Sequence, residues 1–513
     1  MKKMNVQRKE QSAFSAAKWM TGSSYVAFVT GFIGNIFITK ALGPEHYGVY
    51  SYLIWMVTIA VGLTSGGLNI TVIRFISEAI GAKEPDQANA LLAWLRRLLW
   101  TGMLLMTALL VVTLFFPAVY PSAVAEKLYL YLGFTALCAV LKSAYMFDAS
   151  ASKGYAIFYT EAVTNSVMGL ATLCASALLY LTGQGLEGYL ALFAVSSLAQ
   201  PIMARQIMRR HHVTACPGPI PDDLKARTWS ALRWNVTLSL VGMLSTKSAD
   251  TYLLGLQSLT VYVGYYNIAA SLTKSGLDLL TSGFSSMLLP FISRAGAEGG
   301  REKVQQLFSG AVRFYQFAGI LVAGGAYLMS EPMVLLLYGP AYEEVIPALR
   351  VMALVGGMLL PNAAYSAAFI ATDNHRARLA FIILSSVVSV ITSIVFIPWL
   401  GYKGALISIF AGNVGTYVFV AVTAHVALKI RFPVKQVLLQ WLSAALPFAA
   451  LAMLLPLHSS LGVSLLATAA FGAVFVFMSL NIGAWPADDI SMLRQKSKLA
   501  DRLLDTLIIR RLA

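Results

Sequence analysis

The chain has 513 residues, 58% of them hydrophobic and only 12% charged, with a mean hydropathy of +0.70 and a net charge of +15. Soluble globular domains carry about 25% charged residues, and half that share over such a length cannot coat a water-exposed surface. Soluble enzymes, secreted disulfide scaffolds and disordered chains are excluded, and the composition predicts an all-α polytopic membrane protein.

The N-terminus, MKKMNVQRKEQSAFSAAKW, is basic. The apolar run after it, from about Trp19 to Ile38, is too long for the core of a signal peptide and lacks an A-x-A cleavage site, so it reads as a retained first helix. A spanning helix needs about 20 mainly apolar residues. About fourteen such stretches follow in chain order: 18–39, 48–73, 97–117, 126–147, 156–181, 188–208, 232–256, 260–290, 311–330, 345–372, 379–400, 402–428, 436–457 and 460–483. The loops between them are short and leave no room for a large soluble domain.

Positive residues favour the cytoplasmic side of a membrane protein. With the N-terminus inside, four of the 38 Lys and Arg fall on outer segments (Lys40, Lys127, Arg350, Lys403) and two within spans (Lys247, Lys274). The other 32 fall on inner segments, Lys142 and Lys153 among them. One missed or invented helix would invert this bias in every later loop, so the count supports fourteen helices with both termini cytoplasmic. The same bias accounts for the +15 without nucleic acid.

An internal repeat is visible. A shift of 216 places Gly48 on Gly264, Tyr50 on Tyr266 and Phe75-Ile76-Ser77 on Phe291-Ile292-Ser293. A shift of 215 places Lys18-Trp19 on Arg233-Trp234 and Pro117 on Pro332. Six helices, an even number, separate the copies, so both halves run in the same direction, the parallel-repeat design of some transporters. The expected organisation is a six-helix bundle over 1–208, a basic, Pro-rich cytoplasmic linker over 209–231 and a second six-helix bundle over 232–428. Two extra helices over 429–483 and an amphipathic cytoplasmic tail over 484–513, lying along the membrane surface, complete it.

Motifs for other chemistry are weak. GQGLEG at 183–188 satisfies G-x-G-x-x-G but sits in a turn between spanning helices, without the strand that nucleotide binding needs. His211-His212 with Cys216 lacks a second set of metal ligands. Cys138, Cys174 and Cys216 are too few and too scattered for a disulfide framework. No Walker A pattern, serine elbow or His-Glu-x-x-His motif occurs, so no catalytic residue, metal or cofactor is expected.

Ionisable groups inside spans carry the functional information, because each is costly in lipid and turns towards a partner or a watery cavity. Lys247 and Asp250 are three apart on helix 7, and Lys274 and Asp278 four apart on helix 8, spacings that put each pair on one helix face. Glu161 lies in the inner third of helix 5, and Arg74 at the inner end of helix 2. Two readings fit the pairs. Either they neutralise each other and lock two helices, or the lysines meet an anionic substrate while the carboxylates exchange a proton or cation. For Arg74 the alternatives are positive-inside anchoring and substrate contact. Tyr and Trp on helices 1, 2, 7 and 8 suit sugar faces, and equally an aromatic belt.

The turn Leu42-Gly43-Pro44-Glu45-His46-Tyr47-Gly48-Val49-Tyr50-Ser51 resembles the Leu-Gly-x-x-x-Tyr-Gly-x-Tyr-Ser signature of bacterial polysaccharide flippases of the O-unit type. Asp250, Leu254-Gly255 and Val263-Gly264-Tyr265-Tyr266 resemble a second segment of that family, and Arg74-Phe75-Ile76-Ser77-Glu78 fits its basic helix exit. Gly43, Tyr47, Gly48 and Tyr50 are then a structural turn motif. The turns Asp148–Lys153 and Asp373–Arg376 depart from the small Gly-rich turn often seen in the family, and helix 1 lacks the intramembrane arginine expected of a lipid II flippase.

The resemblance implies the superfamily of multidrug, oligosaccharidyl-lipid and polysaccharide exporters and a V-shaped cavity opening alternately to either side. It also implies movement of undecaprenyl-diphosphate-linked repeat units to the outer leaflet of the bacterial inner membrane. Within that expectation Lys247, Lys274 and Arg74 are candidates for substrate binding. Asp250, Asp278 and Glu161 are candidates for coupling to H+ or Na+. The expected partners are membrane lipids, the polyprenyl-diphosphate-linked glycan and the polymerase or export machinery. The alternatives are a multidrug cation antiporter of the same superfamily and, with less support from the short outer loops, a membrane polymerase or ligase.

Overall fold

The computed structural model describes the backbone of residues 2–243, 246–257, 260–362, 364–365, 375–423, 425–426, 431–454, 460–486 and 490. Side chains at 2–21, 246–248, 278–291, 293–301 and 375–378, among others, lie outside the description. Among the described residues the fold is entirely helical, and nine helices are long and apolar enough to cross a membrane. The helices are α1 (Lys2–Gly81), α2 (Pro85–Thr113), α3 (Ser122–Ala125), α4 (Leu128–Gly154), α5 (Tyr159–Leu181), α6 (Leu186–Arg210) and α7 (Asp222–Met243). They continue as α8 (Thr246–Leu256), α9 (Thr260–Leu337), α10 (Val345–Leu359), α11 (His375–Thr423), α12 (Val434–Leu454) and α13 (Leu461–Asn481).

Polarity is inverted relative to a soluble protein. Large apolar side chains point outward, with Trp399 89% and Met453 86% exposed, while many Ser and Thr are buried among the apolar residues of the interior. The buried hydroxyls bond backbone carbonyls one turn back, as Thr64 does to Ala60, Thr71 to Gly67 and Ser443 to Leu439. A lipid-facing surface selects this pattern, because no water is present to satisfy an unpaired polar group. The chain is a multi-pass membrane protein.

Three of the long helices fold back on themselves. In α1 the reversal is at Gly43, whose φ of 65° and ψ of 173° leave the helical region, followed by Pro44. Asn35 and Tyr47 would be about 18 Å apart along a straight helix, yet Tyr47 Oη donates to Asn35 Oδ1 at 3.1 Å. In α11 the reversal is at Gly401 (φ 54°), after Pro398. It brings Ser408 Oγ to 3.0 Å from Ser393 Oγ. In α9, Tyr265 Oη donates to the Ala341 carbonyl just beyond the helix's other end. Gly356 meets Leu277 while its neighbour Gly357 meets Gly319, so the chain turns back between Leu277 and Gly319. The predicted helix pairs 1–2, 8–9 and 11–12 are therefore hairpins whose hydrogen bonding runs on into the turn.

Other boundaries shift. The segment expected to be a loop at 148–153 belongs to α4, which runs on to Gly154, and the turn to α5 uses Ala156 at φ 60°. Hydropathy ends that helix too early because it carries Asp148, whose charge is met by two arginines. Lys142 is correspondingly at the middle of α4, inside the span and not on an inner segment. The basic stretch from Pro85 is helical as the start of α2, and α7 already begins at Asp222.

The chain divides into two compact units. Unit 1 comprises residues 1–244 and 251–264, and unit 2 residues 245–250 and 265–513. In unit 1, α1 packs against α2, α4, α5 and α7. Its core gathers Val72, Phe75, Leu91, Leu95, Phe147 and Leu232. The second half of α1 runs antiparallel to α7 and α8: Glu78 pairs with Arg227 at 2.8 Å, Thr71 accepts from Asn235 at 3.0 Å, and Trp55 stacks on Tyr252. Glycines allow the close approach, as in small-residue membrane packing. A Cβ on Gly48 would meet the Thr260 carbonyl oxygen at 2.0 Å, and one on Gly67 would meet Val236 at 2.5 Å. In unit 2, the second half of α9 packs with α12 and α13 through Ile320, Leu328, Ala444, Phe471 and Phe475.

Candidate functional site

The turn motif is built as its residues suggest. Gly43 supplies the left-handed backbone, Tyr47 is buried and anchors the turn to Asn35, and Gly48 lets the returning helix touch the backbone of residues 260–264. Tyr50 packs on Tyr47 with ring centroids 6.2 Å apart.

Asp250 is the centre of a polar cluster in unit 2. It sits on α8, wholly buried. Its Oδ2 accepts from Tyr266 Oη at 2.5 Å and its Oδ1 from Ser393 Oγ at 2.6 Å. Ser408 lies behind Ser393, its Oγ also 3.1 Å from Thr392 Oγ1. Tyr266, Ser393 and Ser408 are themselves wholly buried. Tyr266 comes from α9 and Asp250 from α8, and the α11 hairpin lays its two serines side by side. Among the described side chains no Lys or Arg pairs with this carboxylate. An anion whose described partners are hydroxyls is costly to bury, and a proton or a small hard cation would lower that cost. One carboxylate with several hydroxyl oxygens is the donor set such a cation uses.

The other sequence-selected residues do not join this cluster. Lys247 is on the same short helix, but its side chain lies outside the described residues. The side chain of Asp278 does too. Lys274 is exposed on α9, with no carboxylate partner among the described residues. Arg74 is exposed at the end of α1, its guanidinium over the neighbouring Phe75 ring. Glu161 is in the first turn of α5, not deep in the span, and forms an ion pair with Lys153 across the α4–α5 turn. Among the described residues no group of three potential metal ligands occurs, and His211 contacts Tyr159. The turns at 373–376 and most of the tail beyond Pro486 lie outside the described residues.

Two ionic features of unit 1 escape a reading by hydropathy. Asp148, buried in α4, accepts from Arg96 Nη2 of α2 at 2.7 Å and from Arg205 Nε of α6 at 2.9 Å. Lys142, also on α4, donates to Gln200 Oε1 at 3.2 Å, its Nζ 4.7 Å from the Phe193 ring centroid. The available signal was the lysine itself, close to the middle of an apolar stretch once that stretch extends to Gly154.

Comparison with known proteins adds three findings. The family model described as polysaccharide biosynthesis protein matches residues 16–296. The fold matches a structure of the lipid II flippase MurJ in an inward closed conformation, with a TM-score of 0.67, 15% identity, and coverage of 90% of this chain and 97% of that one. It also matches an inward-facing multidrug resistance MATE family transporter of the MOP superfamily (TM-score 0.64, 16% identity, 79% and 94% coverage) and the Vibrio cholerae MATE transporter VcmN (0.56, 17%, 82% and 98%). No curated protein matches the chain significantly. With the family model covering more than half of its length, the chain belongs to the polysaccharide biosynthesis protein family, and its fold is that of the MOP-superfamily flippases and transporters.

Proposed function

We propose that the chain flips polyprenyl-diphosphate-linked oligosaccharide repeat units from the inner to the outer leaflet of the bacterial inner membrane, by alternating access driven by exchange of H+ or Na+ at Asp250. Membership of the polysaccharide biosynthesis family supports the cargo. The observation that carries the mechanism is the wholly buried carboxylate of Asp250, satisfied by Tyr266 and Ser393 and by no described cation. Such a group changes charge with little local rearrangement, and its hydrogen-bond partners come from α9 and α11, so occupancy is felt by two hairpins at once. Lys247, Lys274 and Arg74 supply positive charge for a diphosphate or acidic sugar. With Glu161 already paired, coupling rests on Asp250, with Asp278 as a second carboxylate. Both termini are cytoplasmic in this reading, and the polymerase that consumes the repeat units is the partner.

The test is deletion of the gene followed by analysis of lipid-linked repeat units. Intact repeats accumulating on the inner leaflet, cleared by the native chain and not by Asp250→Asn, are expected. Repeats left unpolymerised on the outer leaflet would identify an enzyme instead. The MATE fold keeps a multidrug cation antiporter as the second reading. Drug sensitivity on deletion with unchanged repeat units would select it.

A further inference from the structure

Unit 1 carries a second site that the flipping mechanism does not use. Between the second half of α1, α2 and α7 lies an open, mainly apolar groove of about 330 Å³, lined by Leu63, Leu98, Gly102, Leu105, Val236 and Leu240. A smaller cavity of about 200 Å³ lies between α2 and the extended segment before α7, lined by Trp94, Arg97, Pro217, Gly218 and Lys225. The two abut. Along α2, Arg97 lines the small cavity and Leu98 the groove. On α7, Lys225 lines the small cavity and Trp229 the groove. The Trp94 and Trp229 rings, centroids 6.3 Å apart, mark the boundary.

Each part has its own chemistry. Arg97 and Lys225 are exposed, and neither has an ion-pair partner among the described residues. Asp222 and Asp223 in the first turn of α7 are exposed and do not line the cavity. Trp pairs of this kind sit at the membrane–water interface. Beyond them, Leu63, Leu105 and Leu240 are at least 40% exposed, so the groove opens sideways onto hydrocarbon. Gly102 lines it without a side chain, where an added Cβ would come no nearer than 3.5 Å to the Thr64 carbonyl oxygen. From Arg97 to Leu105 the helix rises about 12 Å, close to the roughly 15 Å depth of one leaflet's hydrocarbon.

We propose that this track binds one anionic phospholipid of the leaflet at the basic end of unit 1. Its phosphodiester sits between Arg97 and Lys225, its glycerol region lies against the Trp pair, and one acyl chain runs along the groove. Charge complementarity selects an anionic head, since two cations with no ion-pair partner among the described residues face one small cavity. Size favours a compact head, because the cavity offers only about 200 Å³, below the 300–1,000 Å³ of sites that enclose drug-sized ligands. The site therefore holds a resident lipid such as phosphatidylglycerol, not the glycan carrier. By bridging α2 and α7 the bound lipid clamps the two helices at that end.

The test is native mass spectrometry of the full chain, titrated with phosphatidylglycerol or with phosphatidylcholine of the same acyl chains. The native chain is expected to retain phosphatidylglycerol preferentially. The double variant Arg97→Gln/Lys225→Gln is expected to lose about 30-fold in retention, from about 1 kcal/mol per interfacial cation. Gly102→Leu, which fills the groove and leaves both cations, is expected to weaken both lipids together. Should the double variant express poorly, Lys225→Gln alone, with about fivefold loss expected, carries the same test. Equal retention of the two lipids, an unaffected double variant, or displacement of phosphatidylglycerol by equimolar undecaprenyl monophosphate would each overturn the assignment.

Discussion

Tyr266 donates a 2.5 Å hydrogen bond to Asp250, and the internal repeat places a neutral amide at the corresponding position of unit 1. A shift of 215 places Asn35 on Asp250, and Asn35 accepts from a tyrosine as well, Tyr47, at 3.1 Å. One position thus carries a neutral amide in one unit and a carboxylate in the other. The amide accepts from Tyr47, whereas the repeat equivalent of Tyr266 is Tyr50, so an uncharged acceptor with a tyrosine donor is compatible with this packing although the tyrosine differs. Asp250→Asn is therefore expected to fold, with a stability change of about 1 kcal/mol for the altered hydrogen bonds, and to lose dependence of transport on the H+ or Na+ gradient. Thermal unfolding and gradient-dependent flipping in proteoliposomes check both parts. Gradient-driven transport by a folded Asp250→Asn protein would remove Asp250 from the coupling role.

Charge on the substrate side is tested separately. Lys247→Gln/Lys274→Gln is expected to reduce flipping of a diphosphate-linked cargo while ion uptake persists. The measurement is accumulation of inner-leaflet repeat units at matched protein level. Undiminished flipping would show that neither lysine meets the anion.

The glycine contacts order themselves by what surrounds each Cα. A Cβ at Gly48 would lie 2.0 Å from the Thr260 carbonyl oxygen, which cannot move without shifting a helix, whereas one at Gly31 meets nothing within 4 Å. Gly48→Ala is expected to destabilise by about 1–3 kcal/mol, as overpacking does. Gly31→Ala, inside the same helix, is expected to stabilise by about 0.5–1 kcal/mol through backbone entropy. Thermal midpoints of the two variants side by side, with the opposite signs, are the readout.

Asp148 joins three helices through two arginines that keep 29% and 45% of their side-chain surface. Its own carboxylate is nearly sealed, 1% exposed, so removing it strands two cations against each other. A fully buried pair broken this way costs about 3–5 kcal/mol. The partial exposure of both arginines lowers the expectation for Asp148→Ala to about 2–3 kcal/mol. Asp148→Asn, which keeps acceptors for one arginine, is expected to fall between. Chemical denaturation in detergent measures the series.

The helices, the hairpin turn at Gly43 and the burial of Asp250 within the fold were legible because each rests on a local signal: an apolar run, a glycine–proline reversal, a charge in a span. What the residues could not display was pairing between distant helices. Arg96 and Arg205 read as positive-inside flanks because their common partner, Asp148, is some 50 residues from either. Ser393 and Ser408 gave no signal, since buried serines are abundant here and only the α11 hairpin sets these two beside Asp250. Glu161 seemed intramembrane because hydropathy blurs a helix start by several residues, enough to hide its neighbour Lys153.

Lys142 poses the opposite case, a charge that hydropathy moved out of the span. At the middle of α4 it has the Gln200 carbonyl oxygen and the Phe193 ring as its contacts and no carboxylate among the described residues. An intramembrane cation so weakly compensated costs stability, and its aliphatic stem contributes packing that methionine can replace. We read a charge placed at such a cost as serving transport. Lys142→Met is therefore expected to raise the thermal midpoint while lowering the flipping rate, a trade-off typical of functional sites. Lys142→Arg, which keeps the charge, is expected to recover part of the rate without the gain in stability. A methionine variant that is both more stable and fully active would show that the lysine does no more than fill space between α4 and α6.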